Sequence, residues 1–231
     1  MRNVMIAFEE FDGNISDIPH GYQPVDCHII FYIKMGKFCC WKARMVAGGH
    51  KTVTPSALTF ASVVSRDSLR IYLAISALYN LKVLACGIQN SYLTANCREK
   101  LYTIVGPEFG TNKGKIMLIT QSLYGLKSSG AAFRALLAEV LCDMSYWPLR
   151  ADPYVYTRPA VKENGFKYWE YVLVYVDDVL CIGNRPHATM KGLKSKFKLK
   201  DDKVEEPTMY LGASLPKMTN TENKSCWEMF V

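Results

Sequence analysis

The stretch Tyr171-Val172-Leu173-Val174-Tyr175-Val176-Asp177-Asp178-Val179-Leu180-Cys181-Ile182 places two adjacent carboxylates inside an apolar run. β-Branched and aromatic residues dominate both flanks and no helical period fits them, which predicts two buried or half-buried strands joined by a turn. An unpaired carboxylate in such surroundings is strongly disfavoured unless a cation or a hydrogen-bond donor meets it. The pattern therefore favours a divalent-metal site on a β-hairpin. An exposed Asp-Asp pair at an ordinary hairpin tip, where Asp is also common, fits these residues equally well.

The length and composition of the chain are those of a globular protein. Its 231 residues are 49% hydrophobic and 21% charged, enough for one domain or two closely packed lobes. No apolar stretch reaches the ~18 residues of a transmembrane helix. Glu9, Glu10 and Asp12 make the N-terminus a poor signal peptide. Eight scattered cysteines without Cys-x-x-Cys spacing indicate reduced thiols, so we expect an intracellular protein of the cytoplasm or nucleus that is not secreted.

The net charge of +7 suits a polyanionic partner but does not require one. Much of the excess lies in two segments. They contain Lys34, Lys37, Lys42, Arg44 and Lys51, and Lys191, Lys194, Lys196, Lys198 and Lys200. A solvated surface is the simpler explanation of each cluster.

Strand pairs alternate with helices along the chain, which predicts an α+β fold with an antiparallel sheet and helices on one face. The predicted strands are Cys27–Ile33 and Phe38–Val46 around a turn at Met35-Gly36-Lys37, then Val83–Ile88, Leu101–Val105, Lys115–Thr120 and Tyr210–Leu215. The predicted helices are one capped by Ser65, Asp67 or Ser68, one that begins at Ser128-Ser129-Gly130, and a basic one from about His187 to Phe197.

Several motifs in a fixed order resemble one family. Tyr175-Val176-Asp177-Asp178 on a strand–turn–strand looks like the metal-binding motif of reverse transcriptases. Ser122-Leu123-Tyr124-Gly125-Leu126-Lys127 before a helix is similar to the template-side motif of copia-type LTR retrotransposon polymerases. Lys42-Ala43-Arg44-Met45-Val46-Ala47-Gly48-Gly49 looks like that family's fingers strand. Gln89-Asn90-Ser91-Tyr92-Leu93 and Tyr210-Leu211-Gly212 also follow the family's order, so the resemblance covers residues 25–215.

The resemblance implies the fingers and palm of an RNA-directed DNA polymerase in residues 25–215. They would follow an N-terminal extension, 1–24, and precede a polar C-terminal tail, 216–231. The thumb is expected to be missing or truncated, as in a fragment of a retroelement polyprotein or a decayed genomic copy. The implied partners are an RNA template, a DNA primer and deoxynucleoside triphosphates, with no membrane, and the oligomeric state is open.

The resemblance also implies a catalytic site at the acidic hairpin. Two Mg²⁺ ions about 3.5–4 Å apart, or Mn²⁺ in their place, would lower the pKa of the primer 3′-hydroxyl and stabilise charge on the phosphate. Asp177 would be the main metal-binding carboxylate, with Asp178 second to it.

Five further residues are implied to bind substrate. Lys42 and Arg44 would approach the triphosphate, although a solvated edge strand also explains them. Tyr92 would close the sugar pocket against a 2′-hydroxyl, or would be a plain core aromatic. Gly125 and Lys127 would lie along the template and incoming base, or would only begin a capped helix.

One carboxylate of the family's triad is absent. It would precede the aromatic gate Tyr92 by five residues, at Gly87, and no Asp or Glu occurs from Ser68 through Arg98. Removing one charge-stabilising group from such a site costs a factor of about 10²–10³ in rate. We therefore expect severely impaired or absent polymerisation with the fold retained. The alternative is an inactive retroelement remnant that acts at most as a nucleic-acid-binding module, with residues 191–198 facing phosphates.

Overall fold

The computed structural model describes residues 6–34, 40–54, 59–210, 213–219, 225–227 and 229. The predicted turn at 35–37 lies outside the described residues, as do residues 211–212 of the last motif. The chain forms two compact units. Unit 1 comprises Met1–Ala61 and Asn90–Leu136, and unit 2 comprises Ser62–Gln89 and Leu137–Val231.

Unit 1 contains a four-stranded sheet and a separate hairpin. Its strands are β1 (Phe8–Glu10), β2 (Gln23–Pro24), β3 (Cys27–Lys34), β4 (Cys40–Ala47), β6 (Leu101–Ile104) and β7 (Ile116–Ile119). The sheet order is β1-β7-β6-β2, with β2 parallel to β6 and the other pairs antiparallel, while β3 and β4 form the hairpin. The predicted strands at Cys27–Ile33, Leu101–Val105 and Lys115–Thr120 are therefore confirmed, as is the described part of the predicted strand Phe38–Val46. The short strands β1 and β2 carry too few residues for a sequence pattern to reveal them.

Unit 2 contains a five-stranded antiparallel sheet that carries the acidic hairpin. Its strands are β5 (Lys82–Gly87), β8 (Trp147–Pro148), β9 (Val155–Val161), β10 (Lys167–Tyr175) and β11 (Asp178–Gly183), in the order β5-β11-β10-β9-β8. β11 is buried along five of its six residues. The expected α+β class is confirmed.

The last part of unit 2 holds two small hairpins. β12 (Met209–Tyr210) pairs with β13 (Ala213–Ser214), where the sequence predicts one continuous strand at Tyr210–Leu215. β14 (Lys217–Thr219) pairs with β15 (Ser225–Trp227), and Trp227 packs against the hydrophobic core of the unit. The pairing of β14 with β15 lies within residues 216–231, which the sequence predicts to be a polar tail. No alternation of hydrophobic residues predicts these strands.

Three α-helices occur within the described ranges. They are α1 (Arg66–Leu78), α2 (Ser129–Asp143) and α3 (Pro186–Lys196). Ser65 caps α1 as predicted, because its Oγ accepts a hydrogen bond of 3.0 Å from the Ser68 N–H. None of the three is long and apolar enough to cross a bilayer.

The sheet of unit 2 has a helix on each face, whereas the sequence pattern predicts helices on one face. The Tyr171 ring lies 4.6 Å from the Tyr72 ring of α1. Glu170, which points the other way from β10, accepts a hydrogen bond from Tyr146, whose hydroxyl lies 2.8 Å from Thr189 of α3. Burial on both faces explains why the central strand reads as an almost continuous apolar run.

Candidate active site

The acidic hairpin forms as predicted. Tyr175 pairs with Asp178, which leaves Val176 and Asp177 as a two-residue loop. Val176 has a φ of 54°, a left-handed conformation that is costly for a β-branched residue. The surrounding structure maintains this strain through the strand pairing and through the Ile88 N–H, which donates to the Asp177 carbonyl at 2.7 Å. The side chains of Asp177 and Asp178 are 29% and 49% exposed, so the loop is neither buried nor fully solvated.

Gly87 lies beside the acidic pair. The antiparallel register of β5 and β11 places Gly87 directly opposite Asp178. A Cβ atom built on Gly87 would lie 3.0 Å from Asp178 Oδ1. A carboxylate at position 87 would therefore lie beside Asp178, and this chain has only hydrogen there.

Lys200 approaches the same carboxylates. Its Nζ lies 2.7 Å from Asp177 Oδ2 and 3.1 Å from Asp178 Oδ1. Partial burial lowers the pKa of the Lys200 ammonium, but the hydrogen bonds and negative charges of the two aspartates raise it more, so the net pKa is raised.

The sequence does not single out Lys200 from the other lysines of its segment. Its partners lie more than twenty residues away along the chain, as the separation of 22 residues from Asp178 shows. A local signal exists in the alternation Phe197-Lys198-Leu199-Lys200, which predicts an extended segment. Leu199 indeed forms a bridge with Ile88, at the end of β5.

The residues present do not fit a two-ion metal centre. Mg²⁺ needs near-octahedral oxygen ligation, and two ions need carboxylates that bridge them. Both available carboxylates pair with an ammonium, and Gly87, opposite Asp178, offers no side chain. Across the described part of the chain, no group of three or more His, Cys, Asp or Glu side chains is placed to hold a metal ion.

A cleft of about 270 Å³ adjoins Gly87, Asp178 and Lys200. Tyr210 also lines it, and its hydroxyl lies 3.0 Å from the Leu173 carbonyl and 3.2 Å from the Asp178 carbonyl. Burial raises the pKa of Tyr210 well above its ordinary value, so the hydroxyl keeps its proton and remains a donor. Tyr210 thereby anchors the start of β11 from beneath the carboxylate pair.

Two predicted substrate-binding residues, Lys42 and Arg44, lie on β4 in unit 1. Both side chains are exposed, and the two-residue spacing puts them on the same face of the strand. The Arg44 guanidinium lies 4.8 Å from the Tyr124 ring centroid and 5.3 Å from that of Tyr32. These cation–π contacts hold Arg44 in place and leave its charge available.

The other three predicted substrate-binding residues, Tyr92, Gly125 and Lys127, also lie in unit 1. Tyr92 is half-buried, with its ring 4.7 Å from Tyr124. Gly125 has a φ of 92°, and a Cβ there would lie 2.1 Å from the Ala47 carbonyl oxygen, so only glycine fits. Lys127 donates to the Thr52 carbonyl at 2.7 Å and to Thr54 Oγ1 at 3.1 Å. These contacts explain each residue structurally, and their contact with substrate remains a prediction.

Glu99 holds the residue that directly follows the motif Ser122–Lys127, a contact that the sequence does not reveal. Its Oε1 accepts hydrogen bonds from the Ser128 backbone N–H at 3.2 Å and from the Ser128 hydroxyl at 2.6 Å. Thr52 donates to the other carboxylate oxygen at 3.5 Å. Glu99 thus fixes the segment that carries Lys127 and leads into α2. The 29 residues that separate the partners leave no local pattern.

The antiparallel sheet with an acidic hairpin, together with the ordered motifs, points to the polymerase class, and comparison with known proteins establishes it. The chain belongs to the family described as Reverse transcriptase (RNA-dependent DNA polymerase), whose sequence model matches residues 13–228. Within that family it is a reverse transcriptase domain of the copia type, which confirms the resemblance.

The similar proteins are much longer than this chain. The Retrovirus-related Pol polyprotein from transposon TNT 1-94 of Nicotiana tabacum is 29% identical over 195 residues, which cover 80% of this chain and 14% of the relative. The corresponding polyprotein from transposon RE1 of Arabidopsis thaliana is 29% identical over 198 residues, which cover 81% and 13%. A solved foamy viral protease-reverse transcriptase in complex with double-stranded DNA has a TM-score of 0.40 and 16% identity, with coverage of 80% of this chain and 28% of that chain.

Proposed function

We propose that this reverse transcriptase domain has lost most or all of its nucleotidyl-transfer activity at the metal centre. The observation that carries the proposal is the register that sets Gly87 opposite Asp178. Asp177 and Asp178 would be the remaining metal-binding pair, for Mg²⁺ or Mn²⁺. The third carboxylate that the resemblance implies at position 87 would be absent beside them, and a loss of about 10²–10³ in rate is expected for one such group.

The remaining site residues keep a geometry that suits nucleic-acid substrates. Arg44 presents a guanidinium from a strand face, a group that pairs well with phosphate oxygens. We assign Lys42, Arg44, Tyr92, Gly125 and Lys127 to the binding of triphosphate, sugar and template. The proposed partners are accordingly an RNA template, a DNA primer and deoxynucleoside triphosphates, bound by residues 25–215.

Primer extension on poly(rA)/oligo(dT) with dTTP and either Mg²⁺ or Mn²⁺ tests the loss of activity. The Asp177→Asn variant provides the background, because it removes the main carboxylate and keeps the side-chain shape. We expect the unmodified chain to match this background. Incorporation by the unmodified chain well above that of Asp177→Asn would contradict the proposal.

The charge distribution on α3 favours a second function, nucleic-acid binding without catalysis. This helix buries Met190 and Leu193 and exposes Lys191, Lys194 and Lys196. Contacts between such lysines and phosphates do not depend on the nucleic-acid sequence. They weaken as the salt concentration rises, because the release of counterions then contributes less to binding.

Filter binding of duplex and single-stranded nucleic acid across a salt series tests this function. Each lysine that contacts a phosphate adds about 0.7–0.9 to the slope of log affinity against log salt. We expect Lys191→Gln/Lys196→Gln to reduce the slope by about 1.4–1.8. Lys82→Gln/Lys167→Gln, which removes two exposed lysines from the sheet, is the charge-matched control and should leave the slope unchanged. Equal slopes for the two double variants would exclude α3 as the binding surface.

A further inference from the structure

A single ammonium group contacts both carboxylates of the acidic hairpin. Lys200 Nζ lies within 3.1 Å of one oxygen of Asp178 and within 2.7 Å of one oxygen of Asp177. An ammonium is a compact charge with three donors, so it can serve two carboxylates at once. A cation ligated by both carboxylates would need a position close to this ammonium.

The path of the Lys200 side chain depends on the absence of a side chain at Gly87. A Cβ atom at position 87 would lie 2.6 Å from Lys200 Cδ and 3.0 Å from Lys200 Nζ. The first distance is shorter than any normal contact between carbon atoms. Any larger residue at position 87 would therefore force the Lys200 side chain to shift from its present conformation.

The backbone delivers Lys200 to this position. The Gln89 N–H donates to the Lys198 carbonyl at 2.8 Å, and Leu199 bridges Ile88. This pairing continues the line of β5 beyond Gly87. The lysine therefore extends over the glycine from a paired segment with a buried leucine beside it.

We propose that Gly87 and Lys200 together convert the acidic hairpin into a partly neutralised cluster, in which the lysine ammonium takes the place of a divalent cation between Asp177 and Asp178. A divalent ion can bind the pair only if the ammonium withdraws. The proposal concerns the cation affinity of the free chain and holds whether or not the domain transfers nucleotides. It also assigns Gly87 a second effect, because the glycine both removes a ligand and admits the competing cation.

Binding of Mn²⁺ to the full chain, measured from the electron paramagnetic resonance signal of the free ion without nucleic acid, tests the proposal. Lys200→Met removes the ammonium and keeps most of the side-chain volume. A unit positive charge about 3–4 Å from a divalent ion opposes its binding strongly, so we expect Lys200→Met to bind Mn²⁺ at least about tenfold more tightly than the unmodified chain. Lys194→Met is the matched control, because Lys194 is an exposed lysine of the same unit that pairs with Asp202 at 2.9 Å.

Two substitutions at position 87 test the role of the glycine. Gly87→Ala adds only the Cβ atom that meets Lys200, so we expect tighter Mn²⁺ binding than in the unmodified chain although no ligand is added. Gly87→Asp/Lys200→Met adds the carboxylate and removes the ammonium, and it should bind most tightly of all.

Circular dichroism melting of each variant confirms that it is folded, and Lys200→Gln replaces Lys200→Met if the latter does not fold. Equal Mn²⁺ affinities for the Lys200 and Lys194 variants would overturn the proposal, as would an unmodified chain that binds as tightly as Gly87→Asp/Lys200→Met. A Gly87→Ala chain with unchanged affinity would remove Gly87 from the mechanism. None of these readings depends on polymerase activity, so they remain valid if the proposed loss of catalysis is wrong.

Discussion

Substituting Glu170 by glutamine should destabilise the sheet that carries the acidic hairpin. The Glu170 side chain is 8% exposed, and its carboxylate accepts four hydrogen bonds. Arg158 donates two of them, from Nε at 3.2 Å and Nη2 at 2.5 Å. The hydroxyls of Tyr146 and Tyr168 donate the others, at 3.2 and 3.0 Å. Glu170→Gln keeps the shape of this residue and removes its charge.

The expected loss of unfolding free energy follows from these contacts. Removing one partner of a buried ion pair costs about 3–5 kcal/mol, because the other charge stays behind unpaired. Arg158 is 28% exposed, so water relieves part of that cost. The amide NH₂ of glutamine would also face groups that are themselves hydrogen-bond donors. Of these groups only a tyrosine hydroxyl can rotate to accept a hydrogen bond from it. We expect a net loss of about 2–3 kcal/mol.

Urea unfolding followed by tryptophan fluorescence measures this loss, provided that the slope of free energy against urea is the same for both chains. Glu163→Gln is the matched control, since Glu163 pairs with Arg185 in the same unit but both side chains are largely exposed. That variant should lose at most about 0.5 kcal/mol. A loss below about 1 kcal/mol for Glu170→Gln, as for an exposed pair, would refute the assigned role of this network.

Three further substitutions probe single contacts. Burial raises the pKa of Asp152, but its hydrogen bonds, the 2.6 Å bond from Ser68 among them, lower it more, so the net pKa lies below the ordinary value of an aspartate. Asp152→Asn should therefore lower the free energy of unfolding by about 1 kcal/mol at neutral pH. The difference in unfolding free energy between the two chains should shrink as the pH falls through the lowered pKa of the folded state, because the carboxyl of the unfolded chain binds its proton at a higher pH. Tyr210→Phe should cost about 1 kcal/mol in urea unfolding, and an unchanged midpoint would show that its hydroxyl does not anchor β11. Glu99→Gln should lower the melting temperature by weakening the bonds from Ser128, and Glu99→Asp, whose carboxylate is shorter by one methylene, should not restore it.

The features that the sequence predicts correctly have a local physical cause. The hairpin at residues 171–182 follows from β-branched flanks around two carboxylates, and Ser65 caps α1 because its hydroxyl reaches the N–H three residues ahead. The basic helix likewise follows from the three-residue spacing of its apolar residues Met190 and Leu193, which are both buried. Each of these patterns fits within one turn or one strand pair.

The features that the sequence does not reveal depend on contacts between distant segments. Lys200 meets the acidic pair only because Leu199 pairs beyond the end of β5, and Glu99 meets Ser128 across 29 residues. The strands β14 and β15 have three residues each, too few for a period of two to show. The sequence also does not predict that helices cover both faces of the sheet, because a continuous apolar strand does not indicate which helix packs on which face.

The fold and the proposed metal site depend on Gly87 in different ways. The pairing of β5 with β11 uses backbone groups, so the ladder tolerates any residue at position 87 that can adopt extended geometry. A glycine in a strand costs about 0.5–1 kcal/mol. Against this, three clustered carboxylates would repel one another in the absence of a cation, whereas the present pair is neutralised in part by Lys200. A glycine in place of a third carboxylate can therefore leave the stability of the free chain nearly unchanged while it removes a ligand that the proposed metal site would need. For this reason the acidic motif is stronger evidence for the family of the chain than for its present activity.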